Sequence, residues 1–232
     1  MKANSNKQEC PPSHPGGDVA AALRCYRDES LFLRLFTRGR HWLCPMRQVA
    51  RHVPLSARVL DVGCGFGLFA NLLATGSPQR RITGVEPDPG RLVVARRSSS
   101  DFPQIDYVDG LVQDIRPESA KFDVVTILDV LYLLPDDLKM SVLRHVRSLM
   151  RDPASRLLLK TNDTRPFWKY AVVRAEEWLM VQALAFTHGG QIHFRGQADY
   201  LRMLREAGFE AEVHKIDGWR PVPHRLFVAR PV

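Results

Sequence analysis

One stretch of nine residues, 59–67, constrains the fold of this chain more than any other. It reads Val-Leu-Asp-Val-Gly-Cys-Gly-Phe-Gly, so an apolar run with two β-branched valines leads directly into three alternating glycines. The largely apolar residues 68–73 have helical character, which puts the glycines at a strand-to-helix joint. Glycine there can adopt a positive φ and lets a ligand reach main-chain N–H groups, which attract negative charge at a helix N-terminus. The stretch therefore predicts a nucleotide-cofactor loop.

The spacing of the glycines distinguishes between cofactor classes. A dinucleotide-binding loop has the pattern G-x-G-x-x-G/A, and counting from Gly63 and Gly65 puts Leu68 where that pattern needs a small residue. The spacing here is G-x-G-x-G instead. It disfavours a nicotinamide cofactor, whose pyrophosphate is bound by the first pattern.

An acidic residue follows the second strand candidate at a separation that suits a ribose ligand. Residues 81–86 end in Glu86, which follows Gly67 by close to the roughly 20 positions expected of a ribose-binding carboxylate. A carboxylate accepts two hydrogen bonds at once, which matches the paired 2′ and 3′ hydroxyls of adenosine. Pro87 ends the strand and turns the chain. For an isolated acid, a strand end facing water is the plainer interpretation, but the glycine loop favours the ribose ligand.

The sequence Asp-Val-Gly-Cys-Gly-Phe-Gly after two apolar residues resembles the first motif of the class I S-adenosylmethionine-dependent methyltransferases. Further stretches resemble other elements of this family in the same order, including the Glu-Ala-Gly-Phe of residues 206–209 before a final antiparallel hairpin. The resemblance implies S-adenosyl-L-methionine as cofactor and S-adenosyl-L-homocysteine as product. The residues implied to bind it here are Asp61, Gly63, Cys64, Gly65, Gly67, Glu86 and Pro87.

Two later stretches extend the implied cofactor site. The tripeptide Gln-Asp-Ile that contains Asp114 and Ile115 resembles the acid-plus-apolar element after the third strand. This implies that the Asp114 carboxylate hydrogen-bonds the adenine amino group and that Ile115 covers the ring, although Asp109 competes for the acidic role. The run that begins at Leu128 resembles the fourth-strand motif, which implies that Leu128 lies beside the sulfonium and the acceptor.

Strand and helix patterns alternate from residue 56 onward, which is typical of a parallel sheet. With the resemblance, this predicts an α/β fold: a Rossmann-like, doubly wound, mostly parallel seven-stranded sheet with a C-terminal antiparallel hairpin. We assign residues 56–232 to this methyltransferase domain and residues 19–55 to an N-terminal helical cap. Residues 1–18, which are polar and rich in proline and glycine, are expected to form a flexible tail.

Methyl transfer from a sulfonium is an in-line displacement, so the protein mostly positions and desolvates the reactants. An oxygen or nitrogen acceptor with a high pKa gains from a general base, usually histidine. His188 and His193 lie on a loop after the fifth strand, where the family often builds its acceptor site, and Tyr132 follows the fourth strand. These are the candidate catalytic residues. Solvated loop histidines and an aromatic wall are the plainer interpretations.

Composition limits the partners and the compartment. No apolar run approaches the roughly 18 residues of a membrane span, and no metal-ligand spacing is present. Four scattered cysteines, one of them inside the proposed cofactor loop, favour reduced thiols in a cytoplasm. The net charge of +8 is compatible with an anionic partner, but the basic residues form no block.

We therefore predict a cytoplasmic S-adenosylmethionine-dependent methyltransferase that acts on a small, aromatic or lipid-like acceptor in a biosynthetic pathway. The alternatives are an RNA or other nucleic-acid methyltransferase and a non-catalytic S-adenosylmethionine-binding protein. Against nucleic acid, residues 128–131 lack a base-flipping tetrapeptide of the N-P-P-Y type. The apolar run 178–186 is either core or a cover over a hydrophobic acceptor.

Overall fold

The computed structural model describes residues 14–118, 121–163, 193, 195–218, 220 and 222–232. Short single-turn 3-10 helices follow the third and fourth strands, at Val112–Asp114 and Leu131–Leu133. The described elements are, in chain order, α1 (Val19–Arg24), α2 (Leu31–Leu43), α3 (Met46–Ala50), β1 (Arg58–Val62), α4 (Leu68–Gly76), β2 (Arg81–Glu86), α5 (Pro89–Ser98), β3 (Ile105–Asp109), β4 (Val124–Leu128), α6 (Asp136–Leu149), β5 (Arg156–Asn162), α7 (Gln197–Glu206), β6 (Phe209–Lys215) and β7 (His224–Pro231).

The strands form a seven-stranded sheet in the order β3-β2-β1-β4-β5-β7-β6. The five strands from β3 to β5 are parallel, whereas β7 runs antiparallel to both β5 and β6. All five residues of β4 are buried, as expected for a central strand covered on both faces. The predicted fold class, including the C-terminal antiparallel hairpin, is confirmed.

Helices cover both faces of the sheet and bury two separate apolar cores. On one face, Val59 of β1 belongs to a cluster with Val49 of α3 and Leu72 of α4. On the other face, the neighbouring Leu60 belongs to a cluster with Val146 of α6. Adjacent strand residues point to opposite faces, so a continuous apolar strand serves both cores. Because β1 lies between β2 and β4, the chain reverses its winding beside β1, which opens a crevice at the carboxyl ends of the strands.

The N-terminal helices pack on α4, and the packed region includes residues expected in the tail. The His14 N–H donates to the Gly76 carbonyl (2.9 Å), Gly17 is buried, and the Asp18 carboxylate caps α1 by accepting from the Ala21 N–H (3.1 Å). The packed cap thus reaches back to His14, ahead of the expected boundary at residue 18. These residues pack against the end of α4, where they cover the Gly76 carbonyl and an apolar surface.

A buried arginine joins the cap to the sheet. Arg80, just before β2, is fully buried and donates to four main-chain carbonyls. Its Nε donates to Pro54 (3.0 Å), its Nη1 to Leu73 (2.8 Å), and its Nη2 to Pro15 (3.0 Å) and Val53 (2.7 Å). The guanidinium therefore satisfies carbonyls from three separate segments of the chain.

We expect Arg80→Met to lower the free energy of unfolding by about 3 kcal/mol or more, because each buried carbonyl left without a donor costs roughly 1–3 kcal/mol. Urea denaturation followed by circular dichroism measures this. The matched control is Arg81→Met at the exposed neighbouring position, for which we expect a change within about 0.5 kcal/mol. Equal unfolding curves for the two variants would contradict the structural role of Arg80.

Candidate active site

A cavity of about 560 Å³ lies at the carboxyl ends of the central strands. The glycine loop and Glu86 form one end of its wall, and Asp129 and Tyr132, which follow β4, form the other. Helix α2 closes one side with Phe36, Arg40 and Leu43. The volume is in the range that holds a cofactor or a drug-sized molecule.

The loop between β1 and α4 needs glycine for both conformation and space. Gly63, Gly65 and Gly67 have φ of 68°, 55° and 80°, a region that other residues rarely adopt. A Cβ on Gly63 would lie 2.6 Å from the Val130 side chain, and one on Gly67 would lie 2.5 Å from the Tyr107 hydroxyl. At Gly65 a Cβ would meet nothing within 4 Å among the described atoms. The loop is thus packed tightly from behind and open at Gly65, on the cavity side.

Tyr26, in the turn just beyond the end of the cap helix α1, supports the loop from behind. Its hydroxyl donates to the Phe66 carbonyl (2.8 Å) and accepts from Asn71 Nδ2 (3.2 Å) in α4. Asn71 Nδ2 also donates to Ser98 Oγ (3.1 Å) in α5. Burial raises the pKa of Tyr26, so the hydroxyl stays a neutral donor. No local sequence pattern around Tyr26 indicates this contact.

Glu86 links the end of β2 to the glycine loop. Its side chain is buried and lines the cavity. Oε2 accepts from the Gly65 N–H (2.9 Å) and Oε1 from the Asp88 N–H (3.3 Å), while Arg91 Nη1 lies 3.6 Å from Oε1. Each carboxylate oxygen has two lone pairs, so both oxygens keep acceptor capacity. Pro87 lies beside it on the cavity wall.

Asp61 is a buried carboxylate, and only one of its two oxygens has a hydrogen-bond partner among the described residues. Oδ1 accepts from Thr126 Oγ1 of β4 (2.7 Å), whereas Oδ2 is buried at the cavity wall with no hydrogen-bond partner among the described residues. Burial is the main cause that raises the pKa of Asp61, to about 7, and the nearby Glu86 charge adds to it. The Thr126 hydrogen bond acts in the opposite direction. The spare oxygen suits a cationic donor, such as the ammonium group of a methionine moiety.

The structure does not bring Asp114 and Ile115 into the cavity. After β3 the wall is formed by residues 110–113. The 3-10 turn then reverses the chain, so the Asp114 carboxylate accepts from the Leu111 N–H (2.7 Å) within the turn, and Ile115 is buried in the core with Leu60. Leu111, Val112 and Gln113 occupy this part of the wall, and the adenine contacts of Asp114 and Ile115 stay predictions. Leu128 does line the cavity, as do Cys64 and the rest of the predicted loop except Gly67, which lies buried behind it.

A buried ionic cluster borders the other end of the cavity. Asp129 has a φ of 60°, unlike any other described non-glycine residue. Its Oδ1 accepts from Lys160 Nζ of β5 (2.5 Å) and its Oδ2 from Arg40 Nη2 of α2 (2.8 Å). Burial by itself raises the pKa of Asp129. The charges of Lys160 and Arg40 outweigh this effect and hold the pKa at about 2. None of these three residues is identified as functional by a sequence motif.

The cluster continues through two more side chains back to α2. Lys160 Nζ donates to Asn162 Oδ1 (3.1 Å), which lies 3.0 Å from His224 Nδ1 of β7. His224 Nε2 donates to the Leu43 carbonyl (2.8 Å) near the end of α2. Burial, and then the Lys160 charge, lower the pKa of His224 to about 2, so this histidine is neutral. The network therefore fixes α2 to three strands.

The three candidate catalytic residues are placed differently. The buried Tyr132 lines the cavity, and its carbonyl accepts from the His193 N–H (2.7 Å). His193 is thus joined to Tyr132 through the main chain, and its own carbonyl accepts from Lys139 Nζ (2.7 Å). His188 lies outside the described residues, as does the apolar run 178–186.

Neither a metal site nor a membrane-spanning helix is found in the part of the chain that the structure describes. There, no group of three or more histidine, cysteine or acidic side chains could hold a metal ion. No described helix combines the length and apolar character needed to cross a membrane.

Comparisons with known proteins agree with this geometry. A family model described as a methyltransferase domain matches residues 34–214. The ubiquinone biosynthesis O-methyltransferase of Xanthomonas axonopodis pv. citri (strain 306) is 35% identical over 178 residues, which cover 74% of this chain and 72% of that protein. The enzyme of the same name from Xanthomonas campestris pv. campestris (strain B100) is 37% identical over 141 residues, which cover 59% of this chain and 57% of that protein.

Among solved structures, the mitomycin 7-O-methyltransferase MmcR shares the fold with a TM-score of 0.67 at 24% identity. The match covers 90% of this chain but 60% of MmcR, so the chain spans three-fifths of that protein's length. The chain belongs to the class I S-adenosylmethionine-dependent methyltransferases.

Proposed function

We propose that this chain transfers a methyl group from S-adenosyl-L-methionine to a hydroxyl group of a small, largely apolar acceptor of aromatic or lipid-like character in a biosynthetic pathway. S-adenosyl-L-homocysteine is the second product. The observation that carries the proposal is Oδ2 of Asp61, a buried carboxylate oxygen on the cavity wall beside the glycine loop that has no hydrogen-bond partner in the described part of the chain. The printed names of the relatives, O-methyltransferases of ubiquinone biosynthesis, support oxygen as the accepting atom.

At the cofactor end, each polar group has a matching role. Asp61 Oδ2 would accept from the ammonium group, and Glu86 would use its remaining lone pairs for the ribose hydroxyls. Gly65 gives close access to the main chain, and Leu111, Val112 and Gln113 offer a wall for the adenine. The cofactor supplies an electrophilic methyl group on a sulfonium, which is a good leaving group. The protein's part is to bind, orient and exclude water.

At the acceptor end, the walls favour a small apolar molecule. Phe36, Leu43, Tyr132, Leu133 and Leu134 line this part of the cavity. Apolar walls bury a ring or an acyl chain, which favours a small apolar acceptor. Tyr132, His193 and His188 remain candidates for contact with the acceptor hydroxyl.

The direct test is isothermal titration of the purified protein with S-adenosyl-L-methionine and, separately, with a nicotinamide dinucleotide. We expect saturable binding of the first only. Mass spectrometry after incubation of the cofactor with a panel of small phenols should then detect an acceptor heavier by one methyl group. Cofactor binding without methylation of any acceptor would favour the non-catalytic alternative.

Asp61→Asn should separate stability from binding. The folded-state pKa of about 7 lies above the ordinary 3.8, so between these values the folded protein holds a proton that the unfolded chain has lost. Stability therefore falls as pH rises through this window. Without cofactor, the variant should melt at a higher temperature than the parent at pH 8, and the gap should shrink towards pH 4. Its S-adenosyl-L-methionine affinity should fall at least about tenfold.

Both measurements matter for Asp61. Higher thermal stability with unchanged affinity would mean that the carboxylate is buried for another reason and does not meet the ammonium group.

Glu86→Gln should weaken S-adenosyl-L-methionine binding about tenfold or more, because hydrogen bonds to a charged acceptor contribute roughly 1.5–3 kcal/mol each. Isothermal titration measures the affinity and differential scanning fluorimetry confirms folding. Asp106→Asn, which removes an exposed carboxylate from the neighbouring strand β3, is the matched control and should bind like the parent. Equal affinities for both variants would remove Glu86 from the ribose site.

Tyr26→Phe should weaken cofactor binding several-fold, because the lost hydrogen bond frees the Phe66 carbonyl and loosens the loop by about 1 kcal/mol. Tyr107→Phe is the control, since the Tyr107 hydroxyl is also buried beside the loop but makes no hydrogen bond to it. We expect the control to keep the parent affinity. A Tyr26 variant that binds as tightly as the control would show that packing alone holds the loop.

A further inference from the structure

Helix α2 presents large apolar side chains to solvent. Leu31 and Leu35 are 66% and 58% exposed, and Phe32 and Trp42 are half exposed. Leu31, Leu35 and Trp42 lie on one face of the helix by its period of 3.6 residues, with Phe32 on the flank of that face. We call this the outer face of α2. A contiguous set of large apolar side chains on a surface is typical of a contact with another molecule or with a membrane.

The opposite face of α2 holds the helix on the domain. Leu33 and Thr37 are buried there, and Arg40 donates to the Asp129 carboxylate (2.8 Å). The outer face is therefore not needed for the attachment of the helix. It can be covered by an external surface while the contacts between the helix and the domain stay as they are.

The exposed apolar side chains are concentrated around the cavity. Among the described residues, nine large apolar side chains are exposed, and four of them are in α2, which forms one side of the cavity. Two more, Leu111 and Leu133, line the cavity and are also exposed, so they lie where the cavity meets solvent. Six of the nine thus belong to the cavity mouth or to the helix beside it.

The charge around the outer face is positive. Residues 30–60 contain six arginines and no acidic residue. Arg38 is exposed on the outer face itself, one helical turn from Trp42. Arg220 Nε donates to the Trp42 carbonyl (2.9 Å), which puts another cation at the C-terminal end of the helix. The apolar side chains of this face are thus accompanied by arginines.

This combination distinguishes between the surfaces that could cover the face. The nearest acid before the helix, Glu29, accepts from Arg97 with both oxygens (2.6 and 2.7 Å), so its charge is balanced. A second copy of this chain would bring two arginine-rich segments together, and like charges oppose such a contact. A helix face with leucine, phenylalanine and tryptophan beside arginine is typical of helices that lie in the interface of an anionic membrane.

We infer that the outer face of α2 docks this protein on the surface of a bilayer that contains anionic phospholipids. Leu31, Leu35 and Trp42 enter the boundary between headgroups and acyl chains, and Arg38 contacts lipid phosphates. The cavity that α2 borders then lies next to the membrane, where an apolar acceptor is concentrated. The docking goes beyond the proposed function, because it needs neither the cofactor nor methyl transfer.

The test is co-sedimentation of the full chain, without cofactor, with phosphatidylcholine vesicles that contain an equal part of phosphatidylglycerol. We expect saturable binding that weakens at roughly 0.5 M salt, because salt screens the contacts between arginine and phosphate. Vesicles of phosphatidylcholine alone should bind less protein. Leu35→Glu should bind the anionic vesicles at least about tenfold more weakly, since it replaces an apolar contact by a charge that lipid phosphates repel.

Matched controls lie at the opposite edge of the sheet. Val232 is exposed and follows β7, whose Ala229 pairs with Leu157 near the start of β5, far from the strand ends that border the cavity. Val232→Glu should bind the anionic vesicles like the parent. Arg38→Gln should bind them several-fold more weakly, whereas Arg230→Gln, at an exposed position of β7, should not.

Three results would overturn the inference: no sedimentation with anionic vesicles, a Leu35→Glu protein that binds them like the parent, or an equal loss of binding in Val232→Glu. Differential scanning fluorimetry checks folding, and if Leu35→Glu melts early, the comparison of Arg38→Gln with Arg230→Gln decides instead. Equal vesicle binding by those two variants would then overturn the inference.

Analytical ultracentrifugation tests the other occupant of the outer face. A parent protein that dimerises, a Leu35→Glu protein that does not, and no vesicle binding by either would assign the face to a second copy of the chain and overturn the membrane contact. Titration with S-adenosyl-L-methionine in the absence of vesicles tests the proposed function separately, so the failure of one proposal is distinguishable from the failure of the other.

Discussion

The close approach between the glycine loop and its neighbours is the constraint on which the rest of the structure depends. Val130 lies where a side chain of Gly63 would be, and the Tyr107 hydroxyl lies where one of Gly67 would be. Because Val130 follows β4 and Tyr107 lies in β3, the space left for the loop depends on the placement of those strands. In return, the tight packing behind the loop leaves its main chain open towards the cavity at Gly65.

Two buried aspartates at the carboxyl ends of the strands have pKa values that their surroundings shift in opposite directions. Asp61 has one hydroxyl donor and a spare oxygen, so burial dominates and its pKa rises to about 7. Asp129 has two cationic donors, so its pKa falls to about 2. A carboxylate that is short of donors suits a cationic ligand, whereas one that is fully paired serves to hold its partners. The cavity is thus bordered at one end by a carboxylate with a spare oxygen and at the other by a carboxylate that two cations hold.

The N-terminal cap is part of the site and not an appendage to it. Tyr26 supports the glycine loop through the Phe66 carbonyl, Arg40 pairs with Asp129, and Arg80 binds carbonyls on both sides of the boundary between cap and sheet. Each contact buries a polar group that would be costly without its partner. The cap therefore docks in one orientation, and this orientation puts α2 along the cavity.

The sequence by itself determined the alternating strands and helices, the parallel sheet, the glycine loop and the position of Glu86. These features follow from the periodicity of apolar residues and from the spacing of glycines and acids. Both are visible in residues that are close together in the sequence. The resemblance of the loop to a known family added the antiparallel hairpin and the cofactor.

Only the tertiary structure decided which residues meet in the cavity. Asp114 and Ile115 were predicted to contact the adenine, but Leu111, Val112 and Gln113 are the residues of this turn that line the cavity. Arg40 and Asp129 are 89 positions apart, and Tyr26 and Phe66 are 40 apart. Contacts of this kind leave no periodic trace, because they arise from the way the cap, the loop and the strand ends pack in three dimensions and not from any spacing along the chain.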